Sequence, residues 1–66
     1  MNIMKVARAM LGISQVEMAK KMETATRTIV QWETRQMIPS LENAVKICNI
    51  YKISMEDLAK HFELIK

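Results

Sequence analysis

The stretch from residue 14 to residue 34 reads SQVEMAKKMETATRTIVQWET, and it decides the fold. It opens with Ser14-x-x-Glu17, the spacing of a capping box, in which each side chain accepts a hydrogen bond from the other residue's backbone N–H at the start of a helix. Apolar residues at helical spacing follow, then a polar interruption, then a second helical stretch. We therefore predict two short helices joined by a turn of about three residues, a helix-turn-helix unit over roughly residues 15–34.

The second of these helices, predicted from about Thr26 to Thr34, has two unlike faces when its residues are placed about 100° apart. The face expected to pack inward consists of Thr28, Ile29, Trp32 and Glu33. The opposite face consists of Thr26, Arg27, Val30, Gln31 and Thr34, and it contains no acid. Arginine and glutamine have the forked geometry that suits guanine and adenine edges in the major groove. This face is therefore a candidate DNA-reading surface, and the alternative is an ordinary solvated helix face.

Three further helices are predicted outside this unit. One runs from Asn2 to Leu11 and ends at Gly12, which tolerates the positive φ common just past a helix end. The others begin after Ser40 and after Ser54, both good N-cap residues. Because β-branched residues rarely cluster and natural helix breakers are few, the sequence indicates an all-α protein of five helices.

The composition limits the class of protein. The chain has 66 residues, half of them apolar and about a quarter charged, as expected for one small globular domain over residues 1–66. It lacks the run of about 20 apolar residues that a membrane span needs. The lone Cys48 and the lack of a signal-peptide pattern favour the reducing cytoplasm.

The net charge of +3 is unevenly distributed. Residues 1–40 carry six basic and three acidic side chains, whereas residues 41–66 carry four of each. A basic bias on one part of a small domain suits a polyanion such as nucleic acid. Ordinary surface charge explains the same excess equally well.

Four spaced motifs add a resemblance. They are Ile13-Ser14-Gln15-x-x-Met18-Ala19-x-x-Met22, Thr28-Ile29-x-x-Trp32-Glu33, Ile38-Pro39-Ser40-Leu41-Glu42-Asn43 and Ile53-Ser54-x-x-Asp57-Leu58. Together they resemble the lambda-repressor/Cro-like helix-turn-helix family over nearly the whole chain. The resemblance implies a compact five-helix domain and a small prokaryotic or phage transcriptional regulator. Repression is the expected mode of regulation.

The resemblance also implies roles for individual residues. Gln15 would bind a DNA phosphate and brace the recognition helix, and Arg8 and Glu33 would form a largely buried salt bridge. The base-facing positions would be Thr26, Arg27, Val30 and Gln31. The positions near phosphates would be Thr24, Thr28, Thr34, Arg35 and Asn43.

Three positions depart from the family pattern. Glu23 stands where the turn usually has glycine, and Lys52 replaces the glycine that often ends the fourth helix. Ala25 replaces the usual Ser or Thr cap of the recognition helix, so that cap is lost unless Thr24 supplies it.

The remaining expectations concern partners. Double-stranded DNA is the expected ligand, read by a homodimer whose interface would include Leu64 and Ile65, with Tyr51 as a possible addition. The alternative for Leu64 and Ile65 is that they close the monomer core. The sequence offers no metal-ligand spacing, cofactor loop or nucleophile–base pair, so no metal, cofactor, small-molecule ligand or enzymatic activity is expected. A different class of function is a protein-interaction module or an antitoxin-type regulator that binds a toxin or another protein.

Some residues are expected to have only structural roles. Trp32 and Cys48 are expected in the core, and His61 at the surface. The core is also expected to contain Met10, Met18, Met22 and Met55.

Overall fold

The computed structural model describes residues 1–66 as five helices with no strand. The helices are α1 (Ile3–Leu11), α2 (Gln15–Met22), α3 (Thr26–Glu33), α4 (Leu41–Tyr51) and α5 (Met55–His61). The predicted all-α class and the number of helices are confirmed. None of the five helices combines the length and hydropathy needed to cross a membrane.

Four of the five helices begin with a side-chain cap. The side chains of Asn2, Ser14, Ser40 and Ser54 each accept a hydrogen bond from a backbone N–H in the first turn. At Ser14 the capping box is complete, with N···O distances of 3.1 Å to the Ser14 hydroxyl and 3.0 Å to the Glu17 carboxylate. The exception is α3, whose N-cap Ala25 has no side-chain hydrogen bond, and Thr24 does not replace it.

The core joins all five helices. It contains the buried apolar residues Met4, Ala7, Met18, Ala19, Met22, Ile29, Trp32, Ala44, Ile47, Cys48, Tyr51, Leu58 and Phe62. Two expected members are missing, because Met10 is 83% exposed and Met55 is 42% exposed. On α1 the buried side chain is Met4, and Met10 points about 120° away from it at the helical spacing of 100° per residue. The prediction that Met10 and Met55 are core residues was therefore wrong.

The surface position expected for His61 was also wrong. Its side chain is 1% exposed, and its Nε2 lies 3.0 Å from the backbone carbonyl oxygen of Trp32. The next residue, Phe62, meets the imidazole ring edge-on with ring centroids 4.7 Å apart. The end of α5 is thus held against α3, and the backbone carbonyl of His61 accepts a hydrogen bond from Nε of Arg35 just after α3.

The environment of His61 disfavours its charged form. Burial lowers the pKa of the imidazole below its ordinary value of 6.5, although the hydrogen bond to Trp32 acts in the opposite direction. Donation to the Trp32 carbonyl requires the proton on Nε2, and the buried Nδ1 has no hydrogen-bond partner. A second proton on Nδ1 would therefore be buried without an acceptor, which is costly.

Acidification should destabilise the fold through this single histidine. Unfolded His61 takes up a proton near pH 6.5, whereas the folded form resists protonation until lower pH. Stability is therefore full above pH 6.5 and falls as the pH drops below it. We expect the urea midpoint to decrease between about pH 7.5 and pH 5.5, above the range in which most carboxylates titrate.

The matched variant is His61→Gln, which keeps a donor but cannot titrate in this range. Its urea midpoint should be nearly constant over the same pH interval. A wild-type midpoint that does not change, or a variant that keeps the wild-type slope, would contradict the assignment.

Candidate nucleic-acid interface

Helices α2 and α3 form a closely packed pair. The inner face of α3 buries Ile29, Trp32 and Glu33, as the sequence pattern predicts. The facing helix α2 buries Met18, Ala19 and Met22. Ala19 is 3% exposed, and a side chain this small allows two helices to approach closely. The pairing leaves the other side of α3 outside the core.

The outer face of α3 is open to solvent. Arg27 is exposed, and Thr26, Val30 and Gln31 are half-buried, so none of the four is enclosed by its own subunit. Arg27 takes part in none of the four ion pairs of the structure. The one acid of α3, Glu33, is fully buried on the opposite side. The exposed surface of α3 is therefore positive, with an arginine and a glutamine one helical turn apart.

The carboxylate of Glu33 connects three helices. Its Oε2 accepts a hydrogen bond of 2.8 Å from Nε of Arg8 on α1, and its Oε1 accepts one of 3.0 Å from Nε2 of Gln15 on α2. The Arg8–Glu33 ion pair suggested by the family resemblance is present, and the carboxylate raises the pKa of the Arg8 guanidinium. The backbone carbonyl of Glu33 accepts a further bond from Asn2. The position of α3 is thereby fixed by α1 and α2 together.

Three of the predicted phosphate-binding side chains make hydrogen bonds inside the chain. Gln15 donates to Glu33, which leaves its amide oxygen and its second N–H for other partners. The hydroxyl of Thr34 donates to the Val30 carbonyl at 2.8 Å. Arg35 donates through Nε to His61 and lies 3.9 Å from the carboxylate of Glu63, so only its terminal nitrogens are free.

The other three predicted phosphate positions lie at helix starts. Thr24 is in the turn between α2 and α3, and Thr28 is in the first turn of α3, both half-buried. Asn43 is in the first turn of α4, where its backbone N–H donates to the Ser40 hydroxyl at 3.2 Å. The positive end of the helix dipole makes such positions favourable for an anion.

The predicted dimer residues separate into two groups. Leu64 and Ile65 are 59% and 46% exposed beyond the end of α5, so they do not simply close the monomer core. Leu64 lines an apolar groove of about 270 Å³, here named the α4–α5 groove, with Ile38, Leu41 and Met55 among its other walls. Tyr51 is 5% exposed inside its own subunit, where burial raises its pKa to about 12. The prediction that Tyr51 lies on a dimer surface was therefore wrong.

Two contacts that hold the end of α3 could not be predicted from the sequence. Asn2 was expected only to start α1, yet its side chain also reaches the Glu33 carbonyl, 31 positions away in the chain. His61 reaches the Trp32 carbonyl across 29 positions. Such long-range contacts leave no periodic pattern in the sequence.

Comparison with known proteins agrees with this geometry. Residues 4–58 match the model of a helix-turn-helix family, the lambda-repressor/Cro-like one. The chain belongs to this helix-turn-helix family. The match covers α1 without its first residue, all of α2, α3 and α4, and most of α5. The family's proteins are DNA-binding transcriptional regulators.

Curated relatives carry the same description. The chain is 33% identical over 57 residues to an uncharacterized HTH-type transcriptional regulator of Methanocaldococcus jannaschii, a match covering 86% of each protein. A Bacillus subtilis protein of the same description matches with the same identity and coverage. One from Archaeoglobus fulgidus is 41% identical over 51 residues, which is 77% of this chain and 73% of that protein. No solved structure matches significantly.

Removing Arg8 should destabilise the helix-turn-helix strongly. In Arg8→Met the Glu33 carboxylate keeps its buried site without a cation, and we expect a loss of about 3–5 kcal/mol in the free energy of unfolding, measured in urea. Adding Glu33→Gln should restore part of this loss because no charge is then stranded. The control is Lys5→Met, on the same helix at an exposed position. Equal losses in Arg8→Met and Lys5→Met would contradict the role of the pair.

The turn of the helix-turn-helix stores a small backbone strain. Glu23 ends α2 with a φ of 55°, in the left-handed region that glycine adopts most easily. We expect Glu23→Gly to raise the free energy of unfolding by about 1 kcal/mol. Glu23→Ala removes the same charge without relieving the backbone, and it should give no such gain. A gain of equal size in both variants would assign the effect to charge instead.

Proposed function

We propose that this chain binds double-stranded DNA sequence-specifically, with residues 1–66 acting as one DNA-binding domain and α3 entering the major groove. The observation that carries the proposal is the outer face of α3, which is open, free of acids and supported from behind by a fixed carboxylate network. A major groove about 12 Å wide admits a single helix. Membership of a family of DNA-binding regulators supports the same conclusion.

The side chains of α3 offer both hydrogen bonds and apolar contacts to bases. In the proposed complex Arg27 donates two hydrogen bonds to a guanine, and Gln31 pairs with the donor and acceptor of an adenine. Thr26 and Val30 lie beside them on the same face and offer methyl groups to thymine methyls. The short side chains of Thr26 and Val30 also allow the helix axis to come close to the base edges.

Phosphate contacts would set the register of α3 on the duplex. The proposed contacts come from Gln15, Thr24, Thr28, Thr34, Arg35 and Asn43. Gln15 is the most constrained of them, because its Nε2 is already bound to the buried Glu33. A phosphate that takes the remaining amide N–H of Gln15 would be bound by a group whose position is fixed in advance, which lowers the entropic cost of binding.

A homodimer is part of the proposal. One short helix reads only a few base pairs, and a two-fold dimer places two such helices one DNA turn apart, about 34 Å. The proposed interface is the α4–α5 groove together with the exposed Leu64 and Ile65. Because the same patch meets itself across a two-fold axis, its apolar character suits self-association.

The proposed biological role is that of a repressor acting in the cytoplasm. A dimer of this size bound to its operator excludes other proteins from the same stretch of DNA without needing a further activity. The curated relatives are described as transcriptional regulators of bacterial and archaeal species, in which the chromosome is in the cytoplasm.

The experiment is a selection of bound sequences from a random duplex pool, followed by binding measurements on the selected site. We expect a two-fold symmetric sequence with half-sites about 10 base pairs apart. Arg27→Ala and Gln31→Ala should each weaken binding to that site by about 1–3 kcal/mol and affect random DNA much less. Lys60→Ala, which removes an exposed positive charge from α5, is the control and should have little effect on the difference between the two DNAs.

Three results would contradict the proposal or part of it. A pool that yields no enriched sequence would contradict sequence-specific DNA binding as a whole. An enriched site bound equally well by the Arg27 and Gln31 variants would assign its recognition to another surface. An enriched sequence without two-fold symmetry would reject the homodimer and leave the reading helix in place.

A further inference from the structure

The ends of α3 and α5 bind each other through two reciprocal hydrogen bonds. Nε of Arg35, the second residue after α3, donates to the backbone carbonyl of His61 at the end of α5. In return, Nε2 of His61 lies 3.0 Å from the backbone carbonyl of Trp32 in the last turn of α3. Each helix end thus supplies the donor for a carbonyl of the other, and we name this arrangement the α3–α5 clasp.

The backbone on both sides of the clasp is fixed by a left-handed helix end. Arg35 has a φ of 64°, and its N–H donates to the Trp32 carbonyl at 3.3 Å. At the end of α5, Glu63 has a φ of 60°, and the N–H of Leu64 donates to the Ala59 carbonyl at 2.9 Å. Such hydrogen bonds close a helix that ends in a left-handed residue. Arg35 and Leu64 therefore have set positions relative to the helices that they follow.

The clasp is the direct polar link between α3 and α5. Helix α3 packs chiefly against α2, whereas α5 packs against α1 and α4. No other side-chain hydrogen bond joins α3 or the turn after it to α5. The ion pair of Arg35 and Glu63 is exposed and 3.9 Å long, so it adds little. Without the clasp, α5 would be related to α3 only through the shared core.

The clasp lies between the two surfaces that the proposed function requires. On one side is the outer face of α3, which reads the bases. On the other side are Phe62 and Leu64, which follow His61 closely in the chain and line the α4–α5 groove. The clasp is therefore placed to fix the reading helix relative to the proposed dimer surface.

The spacing of two half-sites on DNA is a sensitive measure of that relative position. Because B-DNA has about 10–10.5 base pairs per turn, one added base pair rotates a half-site by about 35° and moves it by about 3.4 Å. A rigid dimer fits one spacing, and any other spacing requires the DNA to be twisted or bent at a cost in free energy. A dimer whose α3 moves relative to its interface adapts to several spacings.

We infer that Arg35 and His61 are specificity-determining residues, which restrict the dimer to one half-site spacing by holding α3 to the end of α5. The inference rests on the proposed function, because it needs both the reading helix and the homodimer. It gives a role in DNA selection to His61, which is 1% exposed and lies outside the proposed DNA contacts. Both residues act by positioning α3, and Arg35 keeps its proposed phosphate contact as well.

The experiment measures binding of the full chain to three duplexes. Each carries the selected half-site twice, at the selected spacing or at a spacing one base pair shorter or longer. The test variants are Arg35→Met and His61→Leu, each of which removes one donor of the clasp. The controls are Arg27→Met, the same exchange on the outer face of α3, and His61→Gln, which keeps a donor near the position of Nε2. A urea transition shows that each variant is folded, and two test variants from different helix ends keep the test valid if one is not.

We expect the wild-type chain to bind the selected spacing at least about tenfold more tightly than its neighbours, because deforming the DNA is costly. In Arg35→Met and His61→Leu this preference should fall to about threefold or less, whatever the affinity for the selected duplex. Arg27→Met should weaken binding to all three duplexes alike, and His61→Gln should keep the wild-type preference. A loss of stability alone would lower the three affinities together and leave their ratios unchanged.

Any of three outcomes overturns the inference. A wild-type chain that binds all three spacings equally has no preference for the clasp to explain. Folded test variants that keep the wild-type preference show that its source lies elsewhere, and so does a preference that is lost equally in Arg27→Met or His61→Gln. A selected site without two-fold symmetry would contradict the homodimer and the inference together, and this failure of the proposed function is seen before the three duplexes are made.

Discussion

The rest of the structure depends on one buried negative charge. The Glu33 side chain is fully buried near the end of α3, and a carboxylate there is tolerable only if it is paired and hydrogen-bonded. Arg8 supplies the charge and Gln15 a further hydrogen bond, so a single carboxylate determines where α1, α2 and α3 meet. An apolar contact could slide without losing its area, whereas these directional bonds allow one arrangement. The network thus favours a unique position for α3 relative to α2.

Several helix ends around this network carry a local cost in stability. Glu23 and Lys52 hold left-handed backbone conformations at the ends of α2 and α4, and α3 starts without a side-chain cap. In a chain of 66 residues the buried area is small, so each of these local costs is a large part of the net stability. The buried network and the caps of the other four helices offset them. The fold therefore rests on a few strong local features rather than on a large core.

Local features were predictable from the sequence. Helix starts were readable at Ser14, Ser40 and Ser54, because a cap depends on residues only three positions apart. The two faces of α3 were readable for the same reason, since helical spacing separates Ile29 and Trp32 from Arg27. The Arg8–Glu33 pair came from a family resemblance, and helical spacing alone does not indicate it.

Features that depend on how helices cross were not predictable. Periodicity placed Met10 in the core, but nothing in the sequence shows that α4 and α5 leave that side of α1 uncovered. The predictions for His61 and Tyr51 were wrong for the opposite reason, because distant helices bury both side chains. For the candidate interface, the sequence indicated the residues of the outer face but could not show that Thr34 and Arg35 have partners inside the chain. Tertiary contacts decide these positions, and they leave no spacing pattern.

The position of Trp32 gives the molecule a built-in optical reporter. It is the only tryptophan, it is 2% exposed, and its backbone carbonyl is the one that His61 binds. The indole belongs to the core that joins all five helices, on the inner face of α3. Its emission wavelength responds to water that reaches this core, and so the ultraviolet fluorescence of the unlabelled protein reports on the burial of the inner face of α3.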